Sequence, residues 1–159
     1  MYTIRDRSTV RRDTESLWRF FVDLDRSSYL QWHPRDHLDF RRVHPATTPS
    51  GQGQVVYFKE RIGGRAFGFT CKVSVSDESR YIEYIPYGIP AFLRLGRGHF
   101  KFTPIDNDTS EFEAFLQLGW KLPVLGTALD FLIRRVVDLD ALREHIADEG
   151  RYIETAGLK

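Results

Sequence analysis

The alternation of apolar and polar positions divides the 159-residue chain into a strand, a short helical region, a run of strands and a final helical stretch. Thr3 to Arg12 mixes β-branched with charged residues and reads as a first strand. Asp13-Thr14-Glu15 supplies a helix start, with acidic residues in the first turn where the helix dipole favours them. Leu17, Trp18, Phe20, Phe21 and Leu24 follow at three-to-four spacing, an amphipathic helix that runs out near Asp25-Arg26-Ser27-Ser28. A second short helical piece holds Tyr29 to Trp32, and Pro34 breaks it by disfavouring helical geometry at His33. Pro45 to Gly53 is rich in turn formers and predicts a loop.

An antiparallel meander comes next. Val55 to Ile62 reads as a strand, Gly63-Gly64 as a hairpin turn and Arg65 to Val75 as the returning strand. Ser76 to Ser79 makes the next turn and Arg80 to Tyr84 continues the sheet, which Pro86 to Pro90 interrupts. Leu93 to Phe102 and Glu111 to Leu118 read as two further strands joined at Asp106-Asn107-Asp108. Pro123 then opens a long helical stretch striped by Leu125, Leu129, Leu132, Val136, Leu139, Leu142 and Ile146. The economical packing is an α+β domain spanning residues 1–159, with a curved antiparallel sheet wrapped around the long C-terminal helix. This order resembles the helix-grip fold of the Bet v 1 and START-like superfamily, which implies a cavity between sheet and helix suited to an apolar ligand.

Composition narrows the function classes. Hydrophobic residues make up 42% of the chain and aromatics 14%, enough apolar surface to offset the entropy of ordering, so disorder is excluded. A net charge of +1 argues against a nucleic-acid partner. One cysteine, Cys71, excludes an internal disulfide framework and a thiolate-only zinc cluster, and its FTCKV setting reads as core. The charged start MYTIRDRSTVRRD carries no secretory signal, and no apolar run is long enough to span a membrane. The expectation is a soluble cytoplasmic protein, monomer or homodimer.

Four features carry candidate chemistry. His145 and Glu149 lie four apart on the last helix, on one face and close enough to chelate one cation; a plain surface pair has the same spacing. Glu60 shares its strand face with Val56, Phe58 and Ile62, so a carboxylate points to the apolar side and needs a metal, an arginine or a proton. The segment Tyr29 to His37, YLQWHPRDH, packs Tyr29, Trp32, His33, Asp36 and His37 into one turn-rich connection. His99 alternates with Arg97 and Lys101 while Phe100 and Phe102 take the other face, which puts it on the polar side unless the glycines at 96 and 98 allow a bulge. His37 or His33, with Glu60, His145 and Glu149, makes a mixed nitrogen–oxygen set suited to zinc, with manganese or iron as alternatives.

These pieces resemble the 2,4-diacetylphloroglucinol hydrolase family, a zinc-dependent branch of the Bet v 1-like superfamily. Tyr29 to His37 is similar to that family's Tyr, Trp, Pro, Asp-His segment, Glu60 to its strand ligand, and His145-x-x-x-Glu149 to its helical pair. The resemblance implies His37, not His33, as the zinc ligand, beside Glu60, His145 and Glu149. It implies a catalytic proton-handling role for His99 and a substrate-orienting role for Tyr29. Trp32, His33 and Phe58 are the expected substrate-binding residues. The stretch His37 to Phe40 lacks the asparagine that family members place near substrate. The implied reaction is hydrolysis of a carbon–carbon bond between an acyl group and a phenolic ring, by water activated on the metal. Two rivals use the same cavity: a non-enzymatic carrier of a small apolar molecule, and a metal-free polyketide cyclase or dehydratase with His99 or Glu60 as acid or base.

Overall fold

The computed structural model describes residues 2–88, 96–119, 131, 135 and 137–154. Its elements are β1 (Tyr2–Val10), α1 (Thr14–Val22), α2 (Arg26–Trp32), β2 (His37–His44), β3 (Val55–Ile62), β4 (Arg65–Asp77), β5 (Tyr81–Pro86), β6 (Gly96–Pro104), β7 (Ser110–Leu118) and α3 (Leu139–Tyr152). The strands form one seven-stranded antiparallel sheet in the order β1-β7-β6-β5-β4-β3-β2. β1 and β2 therefore occupy opposite edges, and α1 and α2 carry the chain from one to the other.

The sheet is curved because one helix touches strands far apart in it. α3 packs on β1 and β7 and also on β3. In a flat sheet β1 and β3 would stand five spacings apart, on the order of 24 Å at about 4.8 Å per strand, while a helix is only about 10 Å across. The concave face so formed holds the core. Phe21 of α1 stacks on Phe100 at a centroid distance of 4.2 Å and packs beside Phe102 and Phe112; Leu142 and Ile146 reach the same cluster from α3.

Three predicted boundaries change. Asp25 to Ser28 does not merely end α1: the Asp25 and Ser28 side chains each accept from the other's backbone N–H, a capping box that starts α2 three residues before Tyr29. His37–His44 forms an edge strand that the charge-rich sequence hides; its outer half carries Arg41 and Arg42, the charges that keep an unpaired edge from recruiting another chain. The C-terminal stretch is not continuous either. Asp138 has an extended backbone, φ −72° and ψ 105°, and its carboxylate accepts from the Asp140 and Ala141 amides, so α3 starts at Leu139. Pro123, Leu125, Leu129, Leu132 and Val136 lie outside the described residues, as do Pro90 and Leu93. No described helix is long and apolar enough to cross a membrane.

Candidate metal centre

Strand register and helix periodicity converge on one point. His37 opens β2 and is the direct cross-strand partner of Glu60 on β3, so sheet pairing alone places them side by side. His145 and Glu149 project from the same face of α3, one turn apart. His37 Nε2 lies 3.9 Å from Glu60 Oε1 and 3.9 Å from Glu149 Oε1. His145 Nε2 lies 3.5 Å from Glu60 Oε2 and 3.9 Å from Glu149 Oε1. All four side chains are buried, and their donor atoms fall within 4.8 Å of one another.

The neighbours of this cluster hold its members in place. Tyr29 stacks on the His37 ring at 3.9 Å and 4°, and its hydroxyl donates to Glu60 Oε1 at 2.7 Å. His37 Nδ1 sits 2.8 Å from the Tyr29 carbonyl oxygen. Only a protonated Nδ1 can bond a carbonyl, so that contact assigns the proton to Nδ1 and leaves Nε2 with a free lone pair facing the cluster. Trp32 donates its indole N–H to the Glu149 carbonyl at 2.9 Å, tying α2 to α3.

Burial and mutual charge set the protonation of the cluster. Burial pushes His37 down to about 4, against the pull of Glu60. Burial also opposes ionisation of Glu60, but His145 and His37 outweigh it and hold that carboxyl below its ordinary value. Burial works against charging His145 too, yet Glu60 and Glu149 raise it to about 9; burial raises Glu149 to about 8. Without a metal at neutral pH the group thus balances one carboxylate against one imidazolium, with His37 and Glu149 uncharged.

That balance leaves polar atoms stranded. His37 Nε2, both nitrogens of His145 and Glu149 Oε2 are buried without a hydrogen-bond partner. Buried polar groups are normally bonded, and an unbonded one costs about 1–3 kcal/mol. Two imidazoles and two carboxylates converging at these separations fit a divalent ion: together the carboxylates match its charge, and the set suits zinc, manganese or iron.

The other predicted residues divide sharply. Phe58 does lie on the concave face, with Phe69 opposite it in register and a ring contact at 5.5 Å. Phe69 remains 40% exposed there, so that part of the face is open. Tyr29, Trp32 and His33 are buried, at 3%, 2% and 0% exposure. Their polar groups, for Tyr29 and Trp32, are already committed to Glu60 and to Glu149. His99 is not brought to the cluster. The β6–β7 register is regular, Phe100 enters the core, and His99 therefore sits on the convex face, 3.1 Å from Glu113 and stacked on Phe115. Plain alternation predicts this face, and the four donors lie elsewhere. Cys71 is a core residue whose thiol burial pushes up to about 12.

Sequence reading passes over Asp148 and Tyr84 near the centre and gives Asp36 no separate role. Asp36 and Asp148 are buried carboxylates 3.9 Å and 3.8 Å from His33 Nε2. Tyr84 lies on the concave face of β5 against Gly98, whose added Cβ would stand 2.1 Å from the phenol ring. Burial, with the charges of Glu149, Cys71 and Glu60, raises the Tyr84 phenol well above its ordinary value. Alternation with Ile82 was the available signal for Tyr84; Asp36 lies in the Tyr29–His37 segment, and nothing local marks Asp148. A cleft of about 490 Å³ at the β3–β4 hairpin is lined by Ile62, Arg65, Arg135 and Asp138, and none of the four donors borders it.

No protein-family model and no curated protein matches this sequence. Solved structures do. A START superfamily protein from Mycobacterium smegmatis superposes with a TM-score of 0.64 at 20% identity, over 98% of this chain and 99% of that one. The major latex-like protein 151 of Panax ginseng gives 0.67 at 13% identity, over 99% and 98%. The ZhuI aromatase/cyclase from Streptomyces sp. R1128 gives 0.60 at 14% identity, over 94% and 93%. At such identities the likeness is one of architecture: the chain has the helix-grip fold of the START and Bet v 1-like proteins.

Proposed function

We propose that the protein binds one divalent metal ion, zinc ahead of manganese or iron, through His37, Glu60, His145 and Glu149. A small aromatic or apolar molecule then lies against the concave face beside it. The metal reading rests on the stranded donor atoms of the buried cluster. The ligand reading rests on the open aromatic surface at Phe58 and Phe69 and on the helix-grip fold. Bound there, the ion supplies Lewis acidity, which polarises a carbonyl oxygen or acidifies a water.

The chain supplies the rest. Glu60 and Glu149 balance the ion's charge, Tyr29 holds Glu60 in its rotamer, and the Tyr29 carbonyl keeps His37 in the ligating tautomer. Phe58, Phe67 and Phe69 form the apolar wall. Tyr84 stays protonated beside Glu149 and offers a donor to a substrate oxygen. Hydrolysis of an acyl group from a phenolic ring is the reaction this arrangement serves, with His99 playing no part.

A second reading has its own support in the fold likeness to an aromatase/cyclase. Here the cavity binds or cyclises a polyketide-like molecule without metal, and Glu60 acts as the acid or base. Metal analysis of protein purified without chelators or metal-affinity resin separates the two. About one equivalent of zinc, lost in Glu60→Gln and His145→Ala, supports the metal reading and directs a screen of acyl-phenols. Absence of bound metal, with none taken up from added zinc, leaves the metal-free reading standing.

A further inference from the structure

The two ligand imidazoles are not treated alike. His37 has its outer nitrogen bonded to the Tyr29 carbonyl at 2.8 Å, so its inner nitrogen is free to ligate. His145 has no hydrogen bond at either nitrogen, although its ring is buried. Its Nε2 faces Glu60 and Glu149, and its Nδ1 faces one carboxylate oxygen within 4.0 Å among the described residues: Asp36 Oδ2, at 3.9 Å. Metal-ligating histidines generally donate their second N–H to a carboxylate or carbonyl, which fixes tautomer and ring orientation.

Asp36 is held where that contact needs it. Its own amide donates to the His33 carbonyl at 3.1 Å, and its carbonyl accepts from the Arg61 amide at 2.7 Å, one residue beyond Glu60. The Arg61 guanidinium also donates to the Arg35 carbonyl at 3.2 Å, fixing the same turn to β3. On the side chain, Arg35 donates twice to Oδ2, at 3.1 and 3.2 Å. The carboxylate is thus oriented by an exposed arginine, and the same oxygen, Oδ2, stands 3.9 Å from His33 Nε2 and 3.9 Å from His145 Nδ1. Between Nδ1 and Oδ2 the gap exceeds ordinary hydrogen-bond length by about 1 Å, a shift one side-chain torsion can make.

Resting on the metal reading above, we propose that Asp36 is the positioning residue for His145. It accepts the Nδ1–H and so presents Nε2 to the ion, as the Tyr29 carbonyl does for His37. The segment 29–37 then provides one ligand and the outer partners of both imidazoles. The competing assignment is a second cation among His33, Asp36 and His145. It is disfavoured because positive charge is already in place: Arg35 lies 3.1 Å from Asp36 and 3.7 Å from Asp148, and Arg151 lies 2.8 Å from Asp148.

The test compares the whole chain with Asp36→Asn, Asp36→Glu and Glu60→Gln. Zinc stoichiometry and affinity are measured by competition with a chromophoric chelator, the ring nitrogens by long-range proton–nitrogen NMR of the zinc-loaded protein. Asp36→Asn is expected to keep one equivalent of zinc while binding it about 10–100-fold more weakly. The His145 Nδ1–H signal should shift in that variant, Asp36→Glu should restore part of the affinity, and Glu60→Gln should abolish binding. Melting of the metal-free proteins reports whether each variant folds. Unchanged affinity and an unchanged His145 signal in Asp36→Asn would overturn the assignment while leaving the metal reading intact. A second zinc equivalent that Asp36→Asn alone removes would overturn it in favour of the second cation. A parent that binds no zinc would overturn both readings together.

Discussion

Tyr29 shows how much a single side chain can be asked to do. Its ring packs on His37 and its hydroxyl holds Glu60, so Tyr29→Phe separates the two roles. The stacking survives, while a buried carboxylate loses its donor. A hydrogen bond to a charged group contributes about 1.5–3 kcal/mol, so a loss of that order in chemical denaturation is expected. Zinc affinity should fall with it, and an unchanged affinity would show that Glu60 does not need the phenol. At this scale the sequence was legible where chemistry is local. His145 and Glu149 are neighbours by helical spacing, and Glu60 stands out because alternation sends a carboxylate to the apolar side. Asp148 gave no such sign, since its meeting with His33 joins residues more than a hundred positions apart, whereas Asp36 lies in the Tyr29–His37 segment that the sequence marks. For His99 the alternation pattern alone was enough to give its face of the sheet.

Among the elements, β5 and β6 illustrate a contact that depends on the absence of a side chain. Tyr84 and Gly98 are cross-strand partners, and the phenol ring occupies the space above the glycine. Gly98→Ala is expected to push Tyr84 off that position, at about 1–3 kcal/mol from overpacking, and to weaken any ligand that uses the phenol. Thermal melting and ligand titration would show it; retention of both would mean the ring relocates freely. The central hairpins were easy to foresee because Gly63-Gly64 adopts the two positive φ angles, 56° and 78°, that a tight two-residue turn requires. β2 was missed because an edge strand needs apolar residues on one face only, and here charges interrupt even those. The break at Asp138 was hidden inside an apolar stripe whose spacing continues across it.

For the whole molecule, the protonation of the cluster makes metal binding and stability depend on pH in defined directions. His145, raised to about 9, and Glu149, raised to about 8, both carry protons at neutral pH and must lose them to ligate. Binding is expected to release about two protons per ion near pH 7, so affinity climbs with pH up to about 9. Calorimetry in buffers of different ionisation enthalpy counts them, and release of none would refute the assignment. In the metal-free protein these same raised values stabilise the fold at low pH, fully below the ordinary values of 6.5 and 4.5, and that contribution is lost progressively until pH reaches about 9 for His145 and about 8 for Glu149. His37, depressed to about 4, acts inversely: its contribution is complete above its ordinary 6.5 and is lost as pH falls toward 4. The metal-free melting temperature should therefore be highest below about pH 6.5 and decline toward pH 9, and zinc should flatten that alkaline decline.

The order of the sheet also dictates when the molecule can be completed. β1 pairs with β7, from Tyr2 against Leu118 to Val10 against Ser110. During synthesis the first strand has no partner until more than a hundred further residues have emerged, and contacts so distant in sequence slow folding. Its alternating charges, Arg5 and Arg7 on one face and Asp6 on the other, keep it soluble while it waits. His37 and Glu60 can meet early, as neighbouring strands, but the cage stays half-built until α3 arrives. On the proposed metal reading, a nascent chain would thus have little hold on an ion before its last helix docks, and binding would come as the final act of folding.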